Sequence, residues 1–188
     1  SLVNGTSFMT GLGVVAWERA EDLAKLGCAI TAMASEAARG NPRHFDARIA
    51  EWKPHAGQVR AARWIREHLE YDPARPIAPP ARLQDRYSIR CAPHVIGVAR
   101  DGLAWMRRDI ENEVNSANDN PLIDGESELV LHGGHFYGGH IAFAMDALKT
   151  AVANLADLMD RQLALLVDAK YNHGLPQNLS GATAARAP

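Results

Sequence analysis

Arg90 and Tyr87 stand three residues apart in QDRYSIRCAPHVIG (84–97), a spacing that puts both side chains on one face of a helical turn. A guanidinium presents a planar fork that grips a carboxylate at two points, and a phenol beside it can donate a hydrogen bond or move a proton. Gln84, Asp85 and Arg86 crowd the same stretch. Spacing alone leaves two readings open: Arg90 is paired with Asp85 or another acid of the protein, or it is held for a ligand.

Two further polar clusters invite the same question. NSANDNP (115–121) places three Asn and one Asp just past a predicted helix end. This suits a C-cap and turn, because Asn tolerates left-handed backbone, and it equally suits a set of uncharged groups organising a site. HGGHFYGGH (132–140) carries His132, His135 and His140, but no Cys or acid accompanies them in a zinc-type spacing, so no metal is expected. Its glycines lack the Lys-Ser/Thr of a phosphate-binding loop. They suit a close backbone approach in a turn before a long helix. No Gly-x-Ser-x-Gly elbow and no paired carboxylates are evident.

Four stretches of helical period must position these clusters. The first spans about 8–38 and is apolar nearly all round between Cys28 and Ala34, which implies burial on most sides. The second, shorter, puts Val59, Ala62, Ile65 and Leu69 on one face, with Arg60, Arg63, Arg66 and Glu67 mostly off it. The third, about 95–114, repeats Ala99, Leu103, Met106, Ile110 and Val114 at spacings of three and four. The fourth, about 142–170, confines its charges to a narrow stripe (Asp146, Lys149, Asp157, Asp160, Arg161, Asp168) and is otherwise Ala, Leu, Val and Met. Such a face must pack against several helices, so a bundle completed by further sequence or other subunits is expected. The Pro-rich segment 71–84 cannot be helical throughout. A short hairpin is predicted around Asp124 and Gly125.

Composition sets outer bounds. The 188 residues are 47% hydrophobic and 22% charged, with a net charge of −2, which suits a globular domain and gives no reason to expect nucleic acid or an anionic membrane as partner. Cys28 and Cys91 read as reduced core thiols. No apolar run approaches the roughly 18–20 residues needed to span a bilayer, and no signal-peptide pattern is present; a cytoplasmic protein is expected. The chain opens without Met inside a polar motif and reads as a piece of something longer.

Several segments, in chain order, carry a resemblance: LVNGT (2–6), KPHAGQ (53–58), QDRYSIRCAPHVIG, ENEVNSANDNPLID (111–124), HGGHFYGGHIAFAMD (132–146) and HGLPQNL (173–179). Together they resemble the aromatic amino acid ammonia-lyases and aminomutases, the family of the histidine, phenylalanine and tyrosine ammonia-lyases, over 2–179. The resemblance implies an all-α, long-helix bundle within a larger homotetrameric fold with active sites shared between subunits. This chain would be its central helical segment, lacking the N-terminal electrophile-bearing part and the C-terminal part. It implies elimination of ammonia from an aromatic or heteroaromatic L-amino acid to an α,β-unsaturated acid, assisted by a methylidene-imidazolone electrophile made from an internal Ala-Ser-Gly. Position by position, it implies that Arg90 clamps the substrate carboxylate and that Tyr87 sits by the electrophile and handles a proton. Asn4 would bond the substrate carboxylate or the electrophile's surroundings, supported by Gln84. Asn120 would hold the electrophile's ring, with adjacent amides framing it, and Phe136 would line the aromatic pocket, with His135 beside it.

Departures from the family pattern are specific. His135 stands where the family usually has Asn, Tyr137 where it has His or Gln, and His94 where it has Gln. No Ala-Ser-Gly occurs among the 188 residues, so the electrophile is expected to come from outside this segment. A 2,3-aminomutase of the same family and a non-catalytic helical scaffold are the alternatives.

Overall fold

The computed structural model describes residues 4–74 and 83–181. The described residues are all-α apart from one small hairpin. Its helices are α1 (Ser7–Ala37), α2 (Ala47–Glu51), α3 (Ala56–His68), α4 (Tyr87–Arg90), α5 (Ala92–Val114) and α6 (Gly139–Val167), with short 3-10 turns at Pro42–Phe45 and Gln177–Leu179. Strands β1 (Leu122–Asp124) and β2 (Leu129–Leu131) pair antiparallel, Ile123 opposite Val130, at the place the turn residues predict. Most of the Pro-rich segment falls outside the described residues, so its expected non-helical course is not described.

Three long helices form the frame, with α5 packed on α1, α3 and α6. Side-chain pairs fix their directions. Thr6 donates to Glu113, Trp17 Nε1 to the Leu103 carbonyl (2.8 Å), and Arg100 pairs with Glu21, so α5 runs antiparallel to α1. Gly13 lies against Ile141 and Met145, and Thr31 bonds Gln162, so α6 runs parallel to α1. The α1 surface that meets its neighbours is made of small residues (Ala20, Ala24, Cys28, Ala32), against which Ile96, Leu103, Met106, Ala144, Leu155 and Leu158 pack.

α3 crosses α5 at unusually close range. A Cβ on Gly97 would fall 2.6 Å from the Gln58 Cα, and the Gly57 N–H donates to Asp101 Oδ1 at 2.7 Å, which explains KPHAGQ as a crossing point. The buried face of α3 is Gly57, Gln58, Ala61, Ala62 and Ile65; Val59, predicted to face inward, is exposed because the crossing at Gly97 turns α3 onto its Gly57–Gln58 side. Between Cys28 and Ala34 α1 is buried or half-buried on most sides, as its apolar run implies; Met33 alone in that stretch is exposed, at 70%, with none of the described residues covering it. Cys28 and Cys91 are both free, and burial pushes the Cys28 thiol up to about 12 despite the nearby Arg100.

Candidate active site

Asp85 does not pair with Arg90. Its Oδ2 accepts from the Asn41 N–H at 2.6 Å, and its own N–H donates to His44 Nε2 at 3.1 Å, so this carboxylate fastens the chain after α1 to the approach to α4. Arg90 has no acidic partner among the described residues. It is half-buried, its Nε is enclosed without a hydrogen-bond acceptor, and its guanidinium lies 5.6 Å from the centroid of the Tyr87 ring. Tyr87 is 72% exposed and shares a groove of about 510 Å³ between α4 and α6 with Arg86, Asn154, Asp157, Leu158 and Arg161. Arg90 sits beside this groove rather than in its lining, and Gln84 is exposed at the approach to the same turn. The expected shared face of Tyr87 and Arg90 is therefore present, carried by a single helical turn.

The second polar cluster is built by three loops that meet. Gly5 has φ +73°, and a Cβ there would fall 2.3 Å from the Asn118 carbonyl oxygen, so only glycine lets NGT lie against NSANDNP. Thr6, fully buried, donates to Glu113 near the end of α5, and Asn115 Nδ2 caps that end on the Glu111 carbonyl. The Gly133 N–H donates to Asn120 Oδ1 at 2.9 Å, which ties the loop after β2 to the Asn cluster and leaves Asn120 Nδ2 for another acceptor. Gly138 abuts Met9, the close approach expected of the glycines before α6. Asn4, His135 and Phe136 are exposed on these loops and Asn120 is half-buried. Asn4 makes no hydrogen bond among the described residues.

These two clusters do not meet within one chain. Thr6 marks the start of α1 and Thr31, bonded through Gln162 to the α4 turn, lies near its end. The intervening helix separates them by about 37 Å at about 1.5 Å per residue. The amides expected to frame the reactive ring therefore do not stand beside Arg90 within one chain: Asn4, Asn120, His135 and Phe136 occupy one end of the bundle, and Gln84, Tyr87 and Arg90 the other. The physical reason is the uninterrupted α1, whose length no loop here offsets. Periodicity assigns faces of helices, and it carries no information about which end of a bundle a loop reaches.

His94, one turn beyond Arg90, lies between α3 and α5. Its Nδ1 is buried without a partner, and desolvation, then Lys53 and Arg90, hold its pKa below the ordinary histidine value. Gln162 was not singled out by sequence reasoning, although the signal was there. It follows Leu155 and Leu158 at spacings of seven and four, a polar residue on the buried stripe of α6. Among the described residues no group of His, Cys, Asp and Glu is arranged to hold a metal, and no helix is long and apolar enough to cross a membrane.

A frame of long helices carries its chemistry-bearing side chains at both ends, on the α4 turn at one and on loops at the other. The chain belongs to the aromatic amino acid lyase family, whose model matches residues 1–186. Tyrosine ammonia-lyase of Cereibacter sphaeroides is 39% identical over 191 residues, covering 94% of this chain and 36% of that protein. Histidine ammonia-lyase of Geobacillus thermodenitrificans is 41% identical over 180 residues, covering 96% and 36%. Among solved structures, phenylalanine aminomutase of Pantoea agglomerans superposes with a TM-score of 0.86 at 34% identity, covering 97% of this chain and 39% of that one. The chain thus spans about a third of the length of the relatives it matches.

Proposed function

We propose that this chain is the central helical segment of a carbon–nitrogen lyase that removes ammonia from an aromatic or heteroaromatic L-amino acid, leaving an α,β-unsaturated acid. Completion of its site would come from other subunits of a homotetramer in the cytoplasm. The observation that carries the reading is Arg90: a guanidinium without an acidic partner among the described residues, its Nε enclosed, stacked beside an exposed phenol. A bidentate bond to a substrate carboxylate satisfies that fork, and the phenol of Tyr87 is placed to hold or transfer a proton next to it. The names of the similar proteins, tyrosine and histidine ammonia-lyases, support an aromatic or heteroaromatic amino acid as the substrate.

The residues at the opposite end suit a methylidene-imidazolone ring contributed by a segment outside this chain. Asn120, its Oδ1 already committed to the Gly133 N–H, has its amide hydrogens available for a ring carbonyl. Asn4 supplies an uncommitted amide, Phe136 an exposed aromatic wall, and His135 a titratable group where the family has an amide. When bound, the ring supplies the electrophile that makes loss of ammonia feasible. Arg90 and Tyr87 orient the carboxylate and the proton, while the Asn cluster holds neutral polar groups in register.

Because the two ends lie about 37 Å apart along one helix, a working site needs Arg90 of one subunit and Asn120 of another. The test uses the full-length parent. Arg90→Ala and Asn120→Ala homomers are each expected to lose at least a hundredfold in kcat/KM, measured by absorbance of the unsaturated acid. Unfolding and refolding the two together is expected to restore a fraction of the activity, through mixed assemblies with intact sites. No recovery in mixtures shown by mass to be hybrid would defeat the shared-site reading. The match to phenylalanine aminomutase supports a 2,3-aminomutase as the second reading, and a β-amino acid found by chromatography would establish it.

A further inference from the structure

The turn that presents Tyr87 and Arg90 is a helix of four residues, too short to sustain itself. The Cys91 N–H closes the turn on the Tyr87 carbonyl at 2.9 Å, and Pro93, without an N–H, cannot serve the Ile89 carbonyl four residues before it, so the backbone ladder from α4 into α5 is thin and donors from other elements count. The carbonyl of Ser88 receives one from Gln162 Nε2 at 3.0 Å, across from α6. The same nitrogen donates to Thr31 Oγ1 at 2.9 Å. Thr31 spends its own hydroxyl hydrogen on the Gly27 carbonyl at 2.7 Å, which orients Oγ1 as the acceptor. Three elements, α1, α6 and the α4 turn, therefore converge on one amide.

That amide sits in an expensive place. Gln162 is 1% exposed and Thr31 fully buried, and Gln162 Oε1 is enclosed without a partner. An apolar side chain of the same size, packed between Leu158 and Leu166, would remove the unpaired Oε1 but take the donor away from the Ser88 carbonyl and Thr31 Oγ1. A core that only needed filling has no use for Gln here. What a Met or Leu cannot supply is the pair of N–H donors that lock the Ser88 carbonyl to α1.

We propose that Gln162 is a positioning residue for the reaction, holding the Tyr87–Arg90 turn against the rigid pair of α1 and α6. Its effect on turnover rests on the reading of Arg90 as the carboxylate grip; its effect on the turn does not. In the full-length parent, Gln162→Met keeps the volume and removes the donors, and Thr31→Val removes one acceptor from the opposite side. Both are expected to speed amide hydrogen exchange in peptides covering the α4 turn about tenfold, with α1 and α6 peptides unchanged. Gln162→Met is also expected to lower kcat/KM about tenfold, mainly through KM for the amino acid, in proportion to one lost buried hydrogen bond. In an Arg90→Ala background the same change should have no further effect, since the group being positioned is gone.

Wild-type exchange at the α4 turn in both variants overturns the proposal, as does an equal loss of kcat/KM in the two backgrounds. If Gln162→Met does not fold, Thr31→Val decides by the same exchange measurement. A parent that acts on no amino acid refutes the functional reading instead, and exchange still shows whether Gln162 fixes the turn.

Discussion

At the scale of single residues, the site is defined by groups whose charges or dipoles are left without internal partners. Arg90 is the clearest, and its neighbour His94 records the electrostatic consequence. Burial and the positive charges of Lys53 and Arg90 depress the His94 pKa, so the folded state favours the neutral imidazole. The sign of the pH dependence follows. Above the unfolded histidine value of about 6.5 both states are neutral and the full stability is present. As pH falls from there through the lower folded pKa, the unfolded chain takes up a proton more readily, and stability declines. Below the folded pKa the dependence ends. His94→Gln removes the titrating group while keeping a neutral polar side chain of similar reach. The wild-type parent is therefore expected to lose more Tm than His94→Gln between pH 7 and pH 5, measured by thermal denaturation in matched buffers. Parallel curves would show that His94 is not held neutral by its surroundings.

At the scale of elements, helix and hairpin positions were readable because they rest on local rules. α5 begins at Ala92, three residues before the periodic pattern does, since Pro93 is tolerated in a first turn where its missing N–H is not needed. α6 begins at Gly139, ahead of the predicted 142, because close packing of Gly138 on Met9 draws the chain in before the apolar stripe starts. Tertiary pairing was less readable. Nothing in the spacing of Asp85 shows that it serves Asn41 and His44 rather than Arg90, because those partners are brought near by the course of the chain after α1. Nor does periodicity show that Gly97 is the crossing point of α3 and α5. There the contact is backbone against backbone: an added methyl would fall 2.6 Å from both the Gln58 N and Cα, atoms with no rotamer to escape into. Gly97→Ala is expected to lower stability on balance, because overpacking against backbone atoms costs about 1–3 kcal/mol or more, against about 1 kcal/mol gained from helix propensity. Urea denaturation of the parent checks this, and a neutral or stabilised Gly97→Ala would mean that α3 shifts freely on α5.

At the scale of the whole molecule, α1 carries a second apolar stripe that the described residues leave uncovered. Phe8, Leu12 and Val15, then Leu26 and Met33, follow one another at steps that are sums of threes and fours, and they are 69%, 59%, 46%, 52% and 70% exposed. The spacing is that of a seam against another helix, interrupted in its middle by Arg19 and Asp22. Val98 on α5 and Phe143 on α6, 71% and 70% exposed, lie on helices beside it. Full burial of a side chain of this size contributes about 1.5–3 kcal/mol, so several together strongly favour whatever helix packs on this stripe. Association is what the separation of Arg90 from Asn120 requires if the two are to act on one substrate. Leu12→Asp together with Leu26→Asp places two carboxylates in the seam and leaves the α1 face that meets α5 and α6 untouched. The doubly substituted parent is expected to keep its helical circular dichroism, to sediment as a smaller species than wild type, and to lose activity in step with its loss of assembly. A variant that sediments like wild type would show that the stripe is covered by the parent's own chain and that the seam joins segments of one subunit.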